Sequence, residues 1–133
     1  MTDTLRHFLD LSDLTSQDIR GIVDAAHARK KNRAGLPNGA VDADMPLKGH
    51  LLAMVFDKPS TRTRVSFDLA IRQLGGQSLV LNQNDMQLGR GEPLSDTAQV
   101  LSGYVDVMMV RTGPHENILE LAKYASIPVI NGL

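Results

Sequence analysis

Two arginines and three hydroxyls crowd into Ser60-Thr61-Arg62-Thr63-Arg64, nine residues past the start of an apolar run, Leu51 to Phe56. Ser60 or Thr61 can cap the helix that follows. The free N–H groups of that helix's first turn, together with its dipole, favour an anion. The hydroxyls add donors that rotate to meet phosphate oxygens. Arg62 adds a planar, permanently charged fork that grips a phosphate bidentately. Two arginines sit badly at the positive end of a helix, and a bound anion accounts for that cost. The same residues also read as a plain cap followed by solvated arginines. Arg64, roughly across the helix from Arg62, also reads as a structural ion-pair residue. These alternatives stay open on the residues alone.

The elements around this stretch decide what else can reach it. Leu51 to Phe56 fits a strand buried on both faces. The next helix carries Phe67, Ala70, Ile71 and Leu74 on one stripe and stops at Gly75-Gly76. Ser78 to Leu81 is a short strand, and Asn82 to Leu94 a polar loop. A helix starting near Ser95 aligns Thr97, Val100, Leu101 and Tyr104. Val105 to Val110 is a third strand. Pro114 opens a helix with Ile118, Leu121, Ala122 and Ala125 aligned, and Ile127 to Ile130 is a fourth strand. Ahead of all these, Thr15 and Asp18 have capping-box spacing before a helix whose Ile19, Ile22, Val23 and Ala26 share a face and which ends at Lys30-Lys31. Asn32 to Gly49 holds three glycines and two prolines and reads as a loop whose order the sequence leaves open.

Strand and helix alternating in this way predict an α/β fold. We expect a Rossmann-like three-layer α/β/α domain with a parallel four-stranded sheet and right-handed crossovers. Ligands in such sheets bind beyond the carboxyl ends of the strands. That rule gathers Asp57 to Arg64, Asn82 to Glu92, Arg111-Thr112-Gly113 and Asn131-Gly132-Leu133 at one edge. Arg111 there is either a second cation of the site or an exposed strand-end charge, and Gln87 either a ligand or a solvated loop residue.

Composition narrows the classes. The 133 residues suffice for one domain with a real core, and 42% hydrophobic residues is a globular fraction. A net charge of −1 gives no sign of nucleic acid or membrane surface, so an anion site must come from local cations. With no cysteine there are no disulfides, thiolate metal sites or thiol nucleophile. No metal constellation is evident. Residues 1–10 lack the apolar segment of a secretory signal, which favours the cytoplasm. The chain stops just after a strand, where such folds begin a functional loop, so it reads as truncated.

Phe56-Asp57-Lys58-Pro59-Ser60-Thr61-Arg62-Thr63-Arg64-Val65-Ser66-Phe67 resembles the carbamoyl phosphate signature of the aspartate and ornithine carbamoyltransferases. Arg6 to Leu11 resembles that family's opening, and Leu88 to Glu92 with Ser95-Asp96-Thr97-Ala98 its second loop. Lys58 and Val65 resemble the ornithine branch, where the aspartate branch usually has Glu and Thr. The loop Gln87-Leu88-Gly89-Arg90-Gly91-Glu92 has neither the serine nor the active-site lysine of aspartate enzymes at matching positions.

The resemblance implies that residues 1–133 are the carbamoyl phosphate-binding half of an enzyme. That enzyme would move a carbamoyl group to the δ-amine of L-ornithine, giving L-citrulline and phosphate in arginine metabolism. Ser60, Thr61, Arg62 and Thr63 would hold the phosphate, with Thr63 also near the carbonyl. Arg111 would contact carbonyl and phosphate oxygens. Arg62 and Arg111 would be the catalytic cations, with Lys58 and Arg64 structural or secondary. Gln87 would reach the site of a neighbouring subunit in a homotrimer. No cofactor or metal is implied, and neither nucleic acid nor membrane is a partner. The family's His-Pro-x-Gln motif follows the fourth strand, and none of His7, His27, His50 or His115 matches it. The ornithine-binding half is also missing, so the chain by itself is expected to be inactive. Aspartate carbamoyltransferase is the alternative within the family. A non-catalytic anion-binding or assembly module is the alternative outside it. A dinucleotide domain is disfavoured, because Gly75-Gly76 and Gly89-Arg90-Gly91 do not make G-x-G-x-x-G.

Overall fold

A computed structural model describes residues 5–58, 60–82 and 93–133. Its sheet has four parallel strands, β1 (Leu51–Phe56), β2 (Gln77–Asn82), β3 (Val107–Arg111) and β4 (Val129–Asn131), in the order β2-β1-β3-β4. A short 3-10 turn (Leu11–Asp13) and helices α1 (Ser16–Asn32), α2 (Thr61–Gln73), α3 (Leu94–Ser102) and α4 (His115–Tyr124) complete the elements among the described residues. The expected α/β architecture is present.

Side-chain alternation along the strands builds two cores, one on each face of the sheet. Leu52, Met54 and Phe56 of β1 and Met109 of β3 point to the α2 side, where they meet Ile71 with Phe67 at its margin. Ala53, Val55, Met108, Val110 and Val129 point to the other side, against Ala98 and Leu101 of α3 and Ile118, Leu121 and Ala122 of α4. Met54, Met108 and Met109 are fully buried, each stabilising by roughly 1.5–3 kcal/mol. One handedness of crossover demands this division. The connection through α2 runs one way along the sheet, and those through α3 and α4 run the other way.

Three features shift from the sequence expectation. The third strand starts two residues late, because Leu51 closes against Asp106 instead. Asp106 N–H donates to the Leu51 carbonyl at 2.9 Å, and its carboxylate accepts the Leu51 N–H at 2.8 Å. The fourth strand starts at Val129, since Pro128 has no N–H for the ladder and offers only its carbonyl, to Met108 N–H. The face of α3 turns by one position. Thr97, Ala98 and Leu101 are buried, whereas Val100 and Tyr104 are 52% and 78% exposed.

The first helix forms as its capping box predicts, with Thr15 and Asp18 exchanging side-chain bonds at 3.1 Å. Its apolar face, however, buries nothing, and Ile22 and Val23 lie open. Polar contacts hold it instead. Arg29 reaches Asp42 and Asp44 at 2.9 and 3.0 Å, and Arg33 grips the other Asp42 oxygen. Asp42 N–H in turn donates to Gln73 O at 2.7 Å, so the segment 33–50 is tied to both α1 and α2. Residues 5–10 extend the β4 edge through a parallel bridge between Phe8 and Ile130.

Candidate functional site

The strand order places a topological switch between β1 and β3. Their following connections leave in opposite directions and open a crevice above the carboxyl ends of the two strands. Phe56 and Arg111 are register partners there, so the loop carrying Ser60 and the side chain of Arg111 rise side by side.

Ser60 is the residue before α2, in extended conformation, and its carbonyl accepts the first helical bond from Arg64 N–H at 3.0 Å. The preceding amides of Thr61, Arg62 and Thr63 therefore have no acceptor within the helix. The capping expectation is corrected here, because the Ser60 side chain makes no capping bond. Its hydroxyl is left for another partner. The first turn holds no acidic residue, so nothing in it neutralises the helix dipole or Arg62. Thr61 and Arg62 are exposed and Thr63 half-buried.

Arg111 is half-buried at the end of β3. One terminal nitrogen, Nη1, donates to Thr63 Oγ1 at 3.3 Å and to the Gly132 carbonyl at 2.8 Å. A single guanidinium thus ties the first turn of α2 to the residue after β4, and its Nε and Nη2 make no bond among the described residues. Beneath it, Asp57 N–H donates to the Arg111 carbonyl at 3.2 Å, and Asp57 Oδ2 accepts Gly113 N–H at 2.8 Å.

The remaining candidates fall elsewhere. Lys58 is exposed on the loop before α2. Arg64 is exposed and has no ion pair among the described residues, against its reading as an ion-pair residue; its charge only assists Asp68. The Asp68 carboxyl is held below its usual range mainly by Ser78, then by Arg72, and least by Arg64. Gln87 lies outside the described residues. His115 is exposed in the first turn of α4. Among the described residues no three His, Asp or Glu side chains converge as metal ligands, and no helix is long and apolar enough to cross a membrane. A cleft of about 560 Å³ lies along α1, lined by Ala25, Ala28 and Leu36 and by the Arg29–Asp42 and Arg33–Asp42 pairs. Its cations are already paired with Asp42 and Asp44. Asp57, Gly113 and Gly132 carry no role in the sequence reading. Their signal is weak: a carboxylate at a strand end and two glycines just past strand ends.

The model of the aspartate/ornithine carbamoyltransferase carbamoyl-P binding domain matches residues 6–133. An ornithine carbamoyltransferase of Rhizorhabdus wittichii is 59% identical over 128 residues, covering 96% of this chain and 41% of the relative. Among solved structures, ornithine carbamoyltransferase from Pyrococcus furiosus superposes with a TM-score of 0.86 at 49% identity, over 96% of this chain and 39% of that one. The catalytic subunit of M. jannaschii aspartate transcarbamoylase gives a TM-score of 0.82 at 30% identity, over 97% of this chain and 41% of that one. The chain thus spans about two fifths of the length of the relatives it matches.

Proposed function

The chain belongs to the aspartate/ornithine carbamoyltransferase family, and from that premise we propose that residues 1–133 form one domain that binds carbamoyl phosphate for transfer to L-ornithine. The observation that carries this reading is the bond from Arg111 to Thr63, which brings a cation from one loop onto the anion-ready helix start of another. Ser60, Thr61, Arg62 and Thr63 hold the phosphate. Arg111 faces the carbonyl and bridging oxygens.

In the complete enzyme the δ-amine nitrogen of ornithine attacks the carbonyl carbon. Its lone pair forms the C–N bond, the C–O bond to phosphate breaks, and phosphate leaves with that electron pair. The nitrogen loses a proton, giving citrulline. A lysine-like amine has a pKa near 10.4, so only about one part in a thousand or fewer is neutral at pH 7, and the second half of the enzyme must select that form. Negative charge grows on the carbonyl oxygen and on the leaving phosphate. Fixed donors aimed at both are commonly the largest catalytic contribution, and losing one costs about 3 kcal/mol. Arg62 stabilises the leaving group and Arg111 the carbonyl oxygen.

Ornithine is favoured over aspartate by Lys58 and Val65 and by the higher identity to ornithine enzymes. The enzyme works as a cytoplasmic homotrimer in arginine biosynthesis, with Gln87 reaching a neighbouring site. Titration of the chain and of Arg62→Ala with carbamoyl phosphate by calorimetry tests the site. Equal affinity in both removes Arg62 as the anchor. Turnover with ornithine and with aspartate, by the enzyme carrying this domain at the full length of its relatives, tests the second substrate.

A further inference from the structure

We propose that Asp57 is a positioning residue that sets Arg111 for carbamoyl phosphate, an inference that rests on the binding site just described. Asp57 leaves β1 beside Arg111 and makes two bonds to the neighbouring strand exit. Its N–H donates to the Arg111 carbonyl, and its Oδ2 accepts the N–H of Gly113. The two bonds bracket Arg111-Thr112-Gly113 from below. They fix where the backbone of Arg111 stops following the sheet, and so where its guanidinium emerges.

The bracket is needed because the two loops diverge. Past Phe56 and Arg111 the ladder between β1 and β3 ends, and the chains run to helices on opposite faces. Without a tie at this point, the loop holding Ser60 and the strand end holding Arg111 would be joined only through the Arg111 side chain itself. The bond to Thr63 is long for a hydrogen bond at 3.3 Å, whereas the Asp57 bond to Gly113 is 2.8 Å. The shorter, backbone-directed bond is the one suited to hold the geometry, and it receives a charged acceptor. A side chain at Gly113 would also touch this carboxylate, its Cβ lying 3.7 Å from Asp57 Oδ2. Asp57 thereby acts through Arg111, and is an acceptor first and a charge second. An anion placed beside an anionic ligand would otherwise be a liability.

The test is a cycle on this chain, with carbamoyl phosphate binding read by calorimetry and melting read alongside. Asp57→Ala is expected to weaken binding about tenfold, the equivalent of one ordinary hydrogen bond. Asp57→Asn keeps an acceptor oxygen for Gly113 N–H and is expected to bind within about threefold of the wild type. In an Arg111→Ala background, Asp57→Ala is expected to add nothing. Should Asp57→Ala not fold, Asp57→Ser, whose hydroxyl stops short of Gly113, takes its place in the cycle. Wild-type affinity in the Ala or Ser variant overturns the proposal. So does an Asn variant as weak as Ala, or full additivity with Arg111→Ala. A wild-type chain that binds neither carbamoyl phosphate nor inorganic phosphate overturns the site itself, and is recognised by failing before any variant is compared.

Discussion

Arg111 donates to the hydroxyl of Thr63 across a separation of 48 positions, and the same nitrogen donates to the carbonyl of Gly132. The first turn of α2, the end of β3 and the residue after β4 are therefore joined at one guanidinium. Lysine could not replace it in kind, since a point charge on a flexible stem lacks the planar fork. Arg111→Lys is expected to keep the fold and lose carbamoyl phosphate affinity by roughly tenfold or more, the range for a hydrogen bond to a charged group. Calorimetry with melting as the control reads both. A Lys variant that binds as the wild type does would remove the fork from the argument.

Gly132 is a tight place. A Cβ there would fall on the sulfur of Met109, far inside contact distance, and lie 3.2 Å from its Cγ. Met109 is fully buried in the α2-side core and cannot withdraw without leaving a void. Gly132→Ala should destabilise by about 1–3 kcal/mol through overpacking. Part of that loss should return in the Met109→Ala background, where room has been made, although that change itself costs about 2–5 kcal/mol. Chemical unfolding of the four proteins measures the coupling. Strict additivity would show that the two sites do not touch.

His7 should make the N-terminal segment sensitive to acid. Its Nδ1 accepts the N–H of Val129 at 2.9 Å, next to the Phe8 N–H bond to Val129 O, which the Asn131 N–H bond to Phe8 O follows along β4. Burial pushes its pKa below the ordinary 6.5. The folded state thus prefers the neutral ring, and the unfolded state binds more protons between the lowered value and 6.5. The contribution of His7 is complete above 6.5 and is lost as pH falls through the folded value. The protection factor of the Val129 amide, its exchange rate relative to an unstructured amide at the same pH, should fall on acidification over that window and not in His7→Gln. A wild-type protection factor that ignores pH would count against it.

Asp42 should carry a second acid-sensitive tie. Arg33 first, and Arg29 after it, hold its carboxyl below the ordinary 3.8. A depressed carboxylate stabilises fully above 3.8 and loses its contribution as pH falls through the lower folded value. Arg33→Ala should lower Tm at neutral pH, and the gap from the wild type should close in strong acid as Asp42 protonates. A gap that stays constant with pH would mean that the loss is packing of the Arg33 stem.

Much of this protein is written locally. Leu51–Phe56 is a strand on its own composition, and Ile118, Leu121, Ala122 and Ala125 declare the buried face of α4, because such patterns need only the chain's own periodicity. Thr15 and Asp18 likewise specify the start of α1 within four residues. The anion-ready start of α2 is readable for the same reason: its unpaired amides, hydroxyls and arginine are consecutive. What consecutive residues cannot reveal is which strand ends become neighbours. The order β2-β1-β3-β4 is a choice among sheet arrangements that share one pattern of strands and helices, and it alone brings Arg111 to Thr63 and Asp57 to Gly113. The same holds for the open face of α1, whose spacing promises a core that the described residues do not supply. Periodicity records that a surface is apolar. Only the packed molecule decides what, if anything, lies against it, since the hydrophobic effect is non-directional and names no partner.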